Sequence, residues 1–157
     1  VKFLTQLLVI RIRGTINVRY DVKKTLELLR LKRRYSATIV PKNEYYLGML
    51  EKAKDYIAWG EIDFETAKQL LLKRGKTIGG RRVDDSVAKL EGFNNLDELV
   101  KAILDGSKKF SELKIIKPYF NLAPPKGGFK RSTKKPYQQK GVLGENKEIL
   151  AVVARML

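Results

Sequence analysis

Neither cysteine nor histidine occurs among the 157 residues. Their absence excludes cysteine nucleophiles, disulfide staples, imidazole acid–base catalysis, serine triads built on histidine, and the usual zinc and iron sites. Acid is scarce too: 17 Asp and Glu stand against 33 Lys and Arg, giving a net charge of +16 at pH 7. An imbalance of that size points to a polyanionic partner, either nucleic acid or an acidic membrane surface. No apolar run approaches the ~18–20 residues of a membrane span. Val1-Lys2-Phe3-Leu4 lacks the layout of a signal peptide, so the expectation is a cytoplasmic protein that engages no membrane. A chain of this length buries roughly two thirds of its surface and needs no crosslinks to fold.

The charge is unevenly placed. Residues 1–40 carry +8, residues 41–107 carry −1, and residues 108–157 carry +9. Two cationic ends around a compensated middle suit a molecule that holds phosphates in two places.

The first block reads as β-α-β-α-β. Gln6 to Arg13 alternates Leu8, Ile10 and Ile12 with Val9, Arg11 and Arg13, which predicts a strand with arginines pointing out near its end at Gly14. Asp21 is placed to cap a helix from Val22, with Val22, Leu26 and Leu29 on one stripe. Ala37 to Val40 forms a second strand, stopped by Pro41. Asn43 caps a second helix carrying Leu47, Leu50 and Ala53, and Tyr56 to Trp59 is a third strand closed by Gly60. Trp59 on that strand reads as core ahead of base stacking.

The middle is helical and amphipathic. Asp63 opens Phe64 to Arg74, Asp84 opens a short helix holding Val87 and Leu90, and Asn95 with Glu98 forms a capping pair for Leu96 to Asp105. Ile115-Ile116 reads as a short strand. From Pro118 to Gly141 there is no acid, and four of the five prolines lie between Pro118 and Pro136. Lysines and arginines interleave with Tyr119, Phe120, Phe129 and Tyr137. This stretch reads as an extended basic loop ordered by its partner, because it has too little apolar area to offset its own folding entropy. A closing helix runs from Asn146 to Leu157. The expected segments are therefore a core at 1–62, a helical extension at 63–117, the loop at 118–141, and a carboxy-terminal helix at 142–157 docked on the core.

The catalytic motifs are weak. Gly75-Lys76-Thr77 resembles the tail of a phosphate-binding loop, but Leu70 stands where the pattern needs glycine, and Gly75 serves better as a helix stop. Asp84-Asp85 reads as helix capping rather than paired carboxylates for magnesium or acid–base work. No catalytic, cofactor or metal residues are assigned.

The binding candidates are cationic. Lys32, Arg33, Arg34 and Tyr35 sit between the first helix and second strand, with Arg30 just before them. Helix-end cations gain a few tenths of a kcal/mol from the dipole, which accounts for one or two of this group and not all. Arg11, Arg13 and Arg19 gather around Gly14, and Arg81 and Arg82 follow the Gly79-Gly80 turn. Lys126, Phe129, Lys130, Arg131, Lys134, Lys135, Tyr137 and Lys140 make up the loop set. All are expected to contact RNA, with aromatics available to stack on unpaired bases.

Thr25-Leu26, Leu29, Leu31, Arg33, Ser36 and Thr38, followed by Met49-Leu50, Ala53 and Tyr56-Ile57, resemble the signature of the L-thirty family of large-subunit ribosomal proteins. The short bacterial form covers only about Lys2 to Ile62. The later helices, the run Pro124-Pro125-Lys126-Gly127-Gly128-Phe129-Lys130 and the closing helix resemble the long archaeal form, akin to eukaryotic L-seven. The basic amino-terminal extension of eukaryotic relatives is not in this sequence, so nothing attributed to it transfers. The resemblance implies an α+β, ferredoxin-like core with a three-stranded sheet and helices on one face. It further implies a structural, non-enzymatic role without cofactor, contact with large-subunit (23S) rRNA close to 5S rRNA, neighbouring ribosomal proteins, and a monomer within the ribosome.

Two readings compete. A free-standing RNA-binding regulator would present a groove-reading helix, yet no helix here is basic along one face. A phosphoryl-transfer enzyme would use Gly75-Lys76-Thr77 and Asp84, and ATP turnover would reveal it.

Overall fold

The computed structural model of the protein describes residues 6–14, 18–129 and 131–157. Strands β1 (Gln6–Arg11), β2 (Ser36–Pro41) and β3 (Ile57–Glu61) alternate with helices α1 (Tyr20–Leu28) and α2 (Glu44–Lys52), in the expected order. β1 lies between β2 and β3 and is antiparallel to both, with Val9 opposite Thr38 on one side and Trp59 on the other.

Both faces of this sheet are covered, where one was expected. Leu7 and Val9 pack with Val22, Leu26, Leu29, Leu50 and Trp59 beneath α1 and α2. Leu8, Ile10 and Ile12 pack on the opposite face with residues of the later helices. The reason lies in the strand itself: Leu7 through Ile10 is continuously apolar, the composition of a strand buried on two sides. Trp59 is accordingly core.

The later helices supply the second layer. In α3 (Phe64–Arg74), Ala67, Leu70 and Leu71 face inward, and Asp63 caps the start by accepting from the Thr66 amide at 2.8 Å. α4 (Asp85–Leu90) and α5 (Leu96–Asp105) are capped by Asp84 and Asn95. The Asp85 carboxylate also accepts from the Leu96 amide at 2.9 Å, which joins the two helices. Both acids of the Asp84-Asp85 pair are thus engaged in helix starts. α1 begins one residue earlier than its expected cap, with Asp21 in the first turn and Arg19 at the boundary. Ile115-Ile116 forms no strand; Ile116 makes a single bridge to Thr77.

The sheet has six strands, not three. β4 (Phe120–Asn121) adds antiparallel to β2, β5 (Ser132–Pro136) forms the far edge, and β6 (Gly141–Glu145) runs parallel to both β3 and β5. The order is β4-β2-β1-β3-β6-β5. The stretch expected as an extended loop therefore contains β4, β5 and a 3₁₀ turn at Tyr137–Gln139. The expected carboxy-terminal helix is shorter, α6 (Ile149–Ala154): residues 142–145 belong to β6, and Asn146 is held to Trp59 and Val142 in the turn that follows. Parallel pairing of distant segments leaves no local signature, and glycine at Gly141 and Gly144 interrupts the apolar pattern of β6.

Asn146 fastens this end to the core. It is buried, its amide donates to the Trp59 carbonyl at 2.8 Å, and its side chain donates to the Val142 carbonyl at 3.2 Å. α6 then lies so close to β3 that a Cβ on Gly60 would stand 2.5 Å from Ile149 Cγ2 and 2.7 Å from the Asn146 carbonyl oxygen.

Candidate nucleic-acid interface

Between α1 and β2 the chain makes a tight cationic turn from Arg30 to Tyr35. Both of those residues adopt positive φ, 65° and 68°. Side chains with a Cβ resist that region at about 1–3 kcal/mol each, so the surrounding structure must hold the turn in place.

Buried Arg11 supplies much of that hold. Its Nη1 donates to the Leu31 carbonyl at 2.8 Å, Nε to the Arg13 carbonyl at 3.0 Å, and Nη2 to the Gly14 carbonyl at 3.1 Å. The Arg11 carbonyl accepts from the Tyr35 amide at 2.8 Å. Arg11 thus bonds to both ends of the turn. Burial pushes its pKa below the ordinary arginine value, opposed by the nearby Tyr56 phenol group. The guanidinium is consumed by carbonyls at 2 % exposure, so the expected RNA contact at Arg11 is corrected to a positioning role. β1 ends against the α1–β2 turn, which turns an outward arginine into an enclosed one.

The turn presents its remaining cations to solvent. Lys32, Arg33 and Arg34 are exposed. Arg34 donates from Nε to the Ile12 carbonyl at 2.9 Å and lies 4.8 Å from the Tyr35 ring centroid. Lys32 and Arg33 line a cleft of about 380 Å³ with Arg30, Ser36, Lys117, Tyr119 and Asn121. The last three arrive through β4, whose Asn121 pairs with Ser36. Among the described residues, none of Arg30, Lys32, Arg33 and Lys117 has a carboxylate within ion-pair distance. Four cations converge there without counterions, beside an aromatic ring and an amide.

Lys117 and Asn121 escaped the sequence reading, and Tyr119 was read only as one of the loop's interleaved aromatics. Their signal was a cation and an aromatic flanking Pro118, but only the β2–β4 pairing, across about eighty residues, places them beside Arg33.

The other candidates divide. Arg13 is half-buried, 5.3 Å from the Tyr56 ring centroid, and exposed Arg19 pairs with Asp21 at 3.2 Å. Arg81 and Arg82 are exposed on the turn after Thr77. Phe129 is buried: it joins the core and meets Tyr35 with ring centroids 6.1 Å apart. Its expected stacking on RNA is therefore corrected to packing under the cationic turn. Its burial follows from the backbone of this stretch, which is tied to the carboxy terminus. Ala123 and Lys126 amides donate to the Met156 and Arg155 carbonyls at 3.0 Å each, and Arg155 Nη1 donates to the Gly128 carbonyl at 2.8 Å.

Arg131 stands 4.5 Å from the Tyr137 ring centroid and 3.7 Å from Glu148, so both Arg131 and Tyr137 are partly engaged within the fold. Lys126, Lys134, Lys135 and Lys140 are exposed. Lys130 lies outside the described residues.

A mixed α/β scaffold with unpaired cations gathered at one edge of its sheet, among the described residues, defines the class as a basic α+β protein. The family described as "Ribosomal protein L30p/L7e" matches residues 7–57, from β1 to the start of β3. The large ribosomal subunit protein uL30 of Staphylothermus marinus is 47 % identical over 156 residues, covering 95 % of this chain and 96 % of the relative. Its counterpart from Nitrosopumilus maritimus is 43 % identical over 150 residues, covering 96 % and 97 %. That from Methanobrevibacter smithii is 44 % identical over 147 residues, covering 92 % and 96 %. The chain belongs to the ribosomal protein L30p/L7e family, in the long form found in archaea, a family of structural proteins and not of enzymes.

Proposed function

We propose that this protein is a structural constituent of the large ribosomal subunit that binds folded 23S rRNA, close to 5S rRNA, through its cationic cleft and its basic edge strand. The observation that carries the reading is the convergence of Arg30, Lys32, Arg33 and Lys117 on one cleft without a counterion among the described residues. Such a group neutralises adjacent phosphates and releases their condensed counterions. Tyr119 offers a ring to an unpaired base beside those phosphates. On the opposite edge of the sheet, Lys134 and Lys135 project from β5. Lysine on an edge strand also deters sheet-to-sheet pairing, and the same charges serve a second phosphate contact. Neighbouring ribosomal proteins cover surfaces that the RNA leaves free.

The test is the salt dependence of rRNA binding. Replacing Lys32, Arg33 and Lys117 by alanine removes three contacts, so the slope of log affinity against log salt should flatten by about 2–3. The melting temperature should hold, because Lys32 and Arg33 are exposed, half-buried Lys117 lines the open cleft, and none of the three is ion-paired among the described residues. An unchanged slope in the triple variant refutes the cleft as the contact.

A further inference from the structure

We infer that the turn from Lys76 to Arg82 is a further RNA contact, an apolar-tipped wedge that seats Ile78 in the minor groove of an A-form duplex. This rests on the reading that the chain binds large-subunit rRNA.

The turn is built to hold its shape. Lys76 and Arg82 pair antiparallel at its base. Across it, the Thr77 amide donates to the Arg81 carbonyl at 2.8 Å and the Gly80 amide to the Thr77 carbonyl at 2.9 Å. The Arg81 amide donates to Thr77 Oγ1 at 3.0 Å, and Thr77 is buried, so its hydroxyl acts as a fixed strut. The Ile78 amide donates to the Ile115 carbonyl at 2.8 Å. Gly80 takes φ of 86°, which a side chain would resist.

On this fixed frame Ile78 is 68 % exposed. A single exposed aliphatic residue is ordinary in itself. This one is set apart by its neighbours. Gly79 and Gly80 give it no side chain to lean on, and the same turn carries Lys76, Arg81 and Arg82, all exposed and none ion-paired among the described residues. A protein partner would need a larger apolar patch than one isoleucine, and a phosphate would need no isoleucine at all. An apolar tip between cations matches a shallow groove that displays base edges and riboses between two phosphate backbones. In A-form RNA the wide, shallow minor groove has that form, while the deep, narrow major groove excludes side chains. Apolar wedges at minor grooves are an established means of nucleic-acid contact.

The turn is also continuous with the cationic cleft. The Lys117 amide donates to the Lys76 carbonyl at 2.9 Å, while Lys117 itself lines the cleft. One RNA can therefore follow this flank from cleft to tip.

The experiment compares the full-length wild type, Ile78→Ala and the double variant Arg81→Ala/Arg82→Ala on large-subunit rRNA, by affinity against salt and by hydroxyl-radical footprinting of the riboses. Ile78→Ala should weaken binding about three- to fivefold with an unchanged salt slope, since only apolar contact is lost. The double variant should flatten the slope by about 1.4–1.8. Both should lose the same patch of ribose protection while retaining that of the cleft. Wild-type affinity and a complete footprint for Ile78→Ala overturn the wedge. If wild-type protein itself leaves the rRNA unbound, the rRNA reading fails first; if it binds and only the turn variants are silent, the wedge alone fails.

Discussion

Replacing Arg11 by methionine separates an arginine that builds the interface from one that touches the ligand. Methionine keeps most of the apolar stem in place and deletes the guanidinium. Three bonds to the carbonyls of Leu31, Arg13 and Gly14 disappear. Hydrogen bonds to a charged donor are worth about 1.5–3 kcal/mol each. Against that gross loss stands the relief of no longer desolvating a cation, itself several kcal/mol. The Leu31 carbonyl is left as a buried acceptor without its partner, at about 1–3 kcal/mol. The strained pair Arg30 and Tyr35 loses its brace as well. The balance is a destabilisation of about 2–4 kcal/mol. For a chain of this size each kcal/mol moves the midpoint by about 2–4 °C, so thermal unfolding should begin roughly 5–15 °C lower. Differential scanning calorimetry gives the midpoint, and rRNA titrations at several salt concentrations give the slope. The slope should stay at the wild-type value, because no phosphate contact is removed. A midpoint within about 2 °C of wild type, together with a slope flattened by about 0.7–0.9, refutes the positioning role and returns Arg11 to the RNA surface.

Other substitutions follow the same logic. Phe129→Ala empties a core position beneath Tyr35 and should cost about 3–5 kcal/mol in denaturant unfolding, with a salt slope like wild type; a flattened slope at full stability contradicts its burial. Gly60→Ala drives a methyl group into Ile149 and the Asn146 carbonyl, so hydrogen exchange should speed up in β6 and α6 before the rest of the sheet. Uniform protection in that variant argues against the close approach of α6 to β3. Asp63→Ala removes the cap on the Thr66 amide and should lower stability by about 1 kcal/mol, measured by urea titration, without affecting rRNA affinity.

The family signature illustrates how structural and functional residues share one motif. Leu26, Leu29 and Leu50 are buried under the sheet, whereas Arg33 projects into the cleft a few residues away. Ser36 joins the two, as a buried residue of β2 that also lines the cleft. The match over residues 7–57 thus spans both the core strands and helices and the cationic turn between α1 and β2.

Local chemistry was enough to place what local chemistry controls. Apolar alternation and caps such as Asn43, Asp63, Asp84 and Asn95 located β1 to β3 and the five helices up to Asp105, and the density of Lys and Arg singled out Lys32 and Arg33, which the fold leaves exposed on the turn before β2. Three other features were decided by residues far apart in the chain. β4 and β6 exist because β2 and β3 had unpaired edges to offer; β4 has only two residues, and glycine fills two of the five positions of β6, so neither announces such pairing. Arg11 and Phe129 had the composition of RNA ligands but lost solvent to the turn and the carboxy terminus that close over them. Lys117 and Tyr119 came to line the cleft in the same way, by being carried to Arg33 beside a strand added at the sheet's edge. A side chain's type follows from its codon alone; whether it meets solvent depends on which distant backbone finds it.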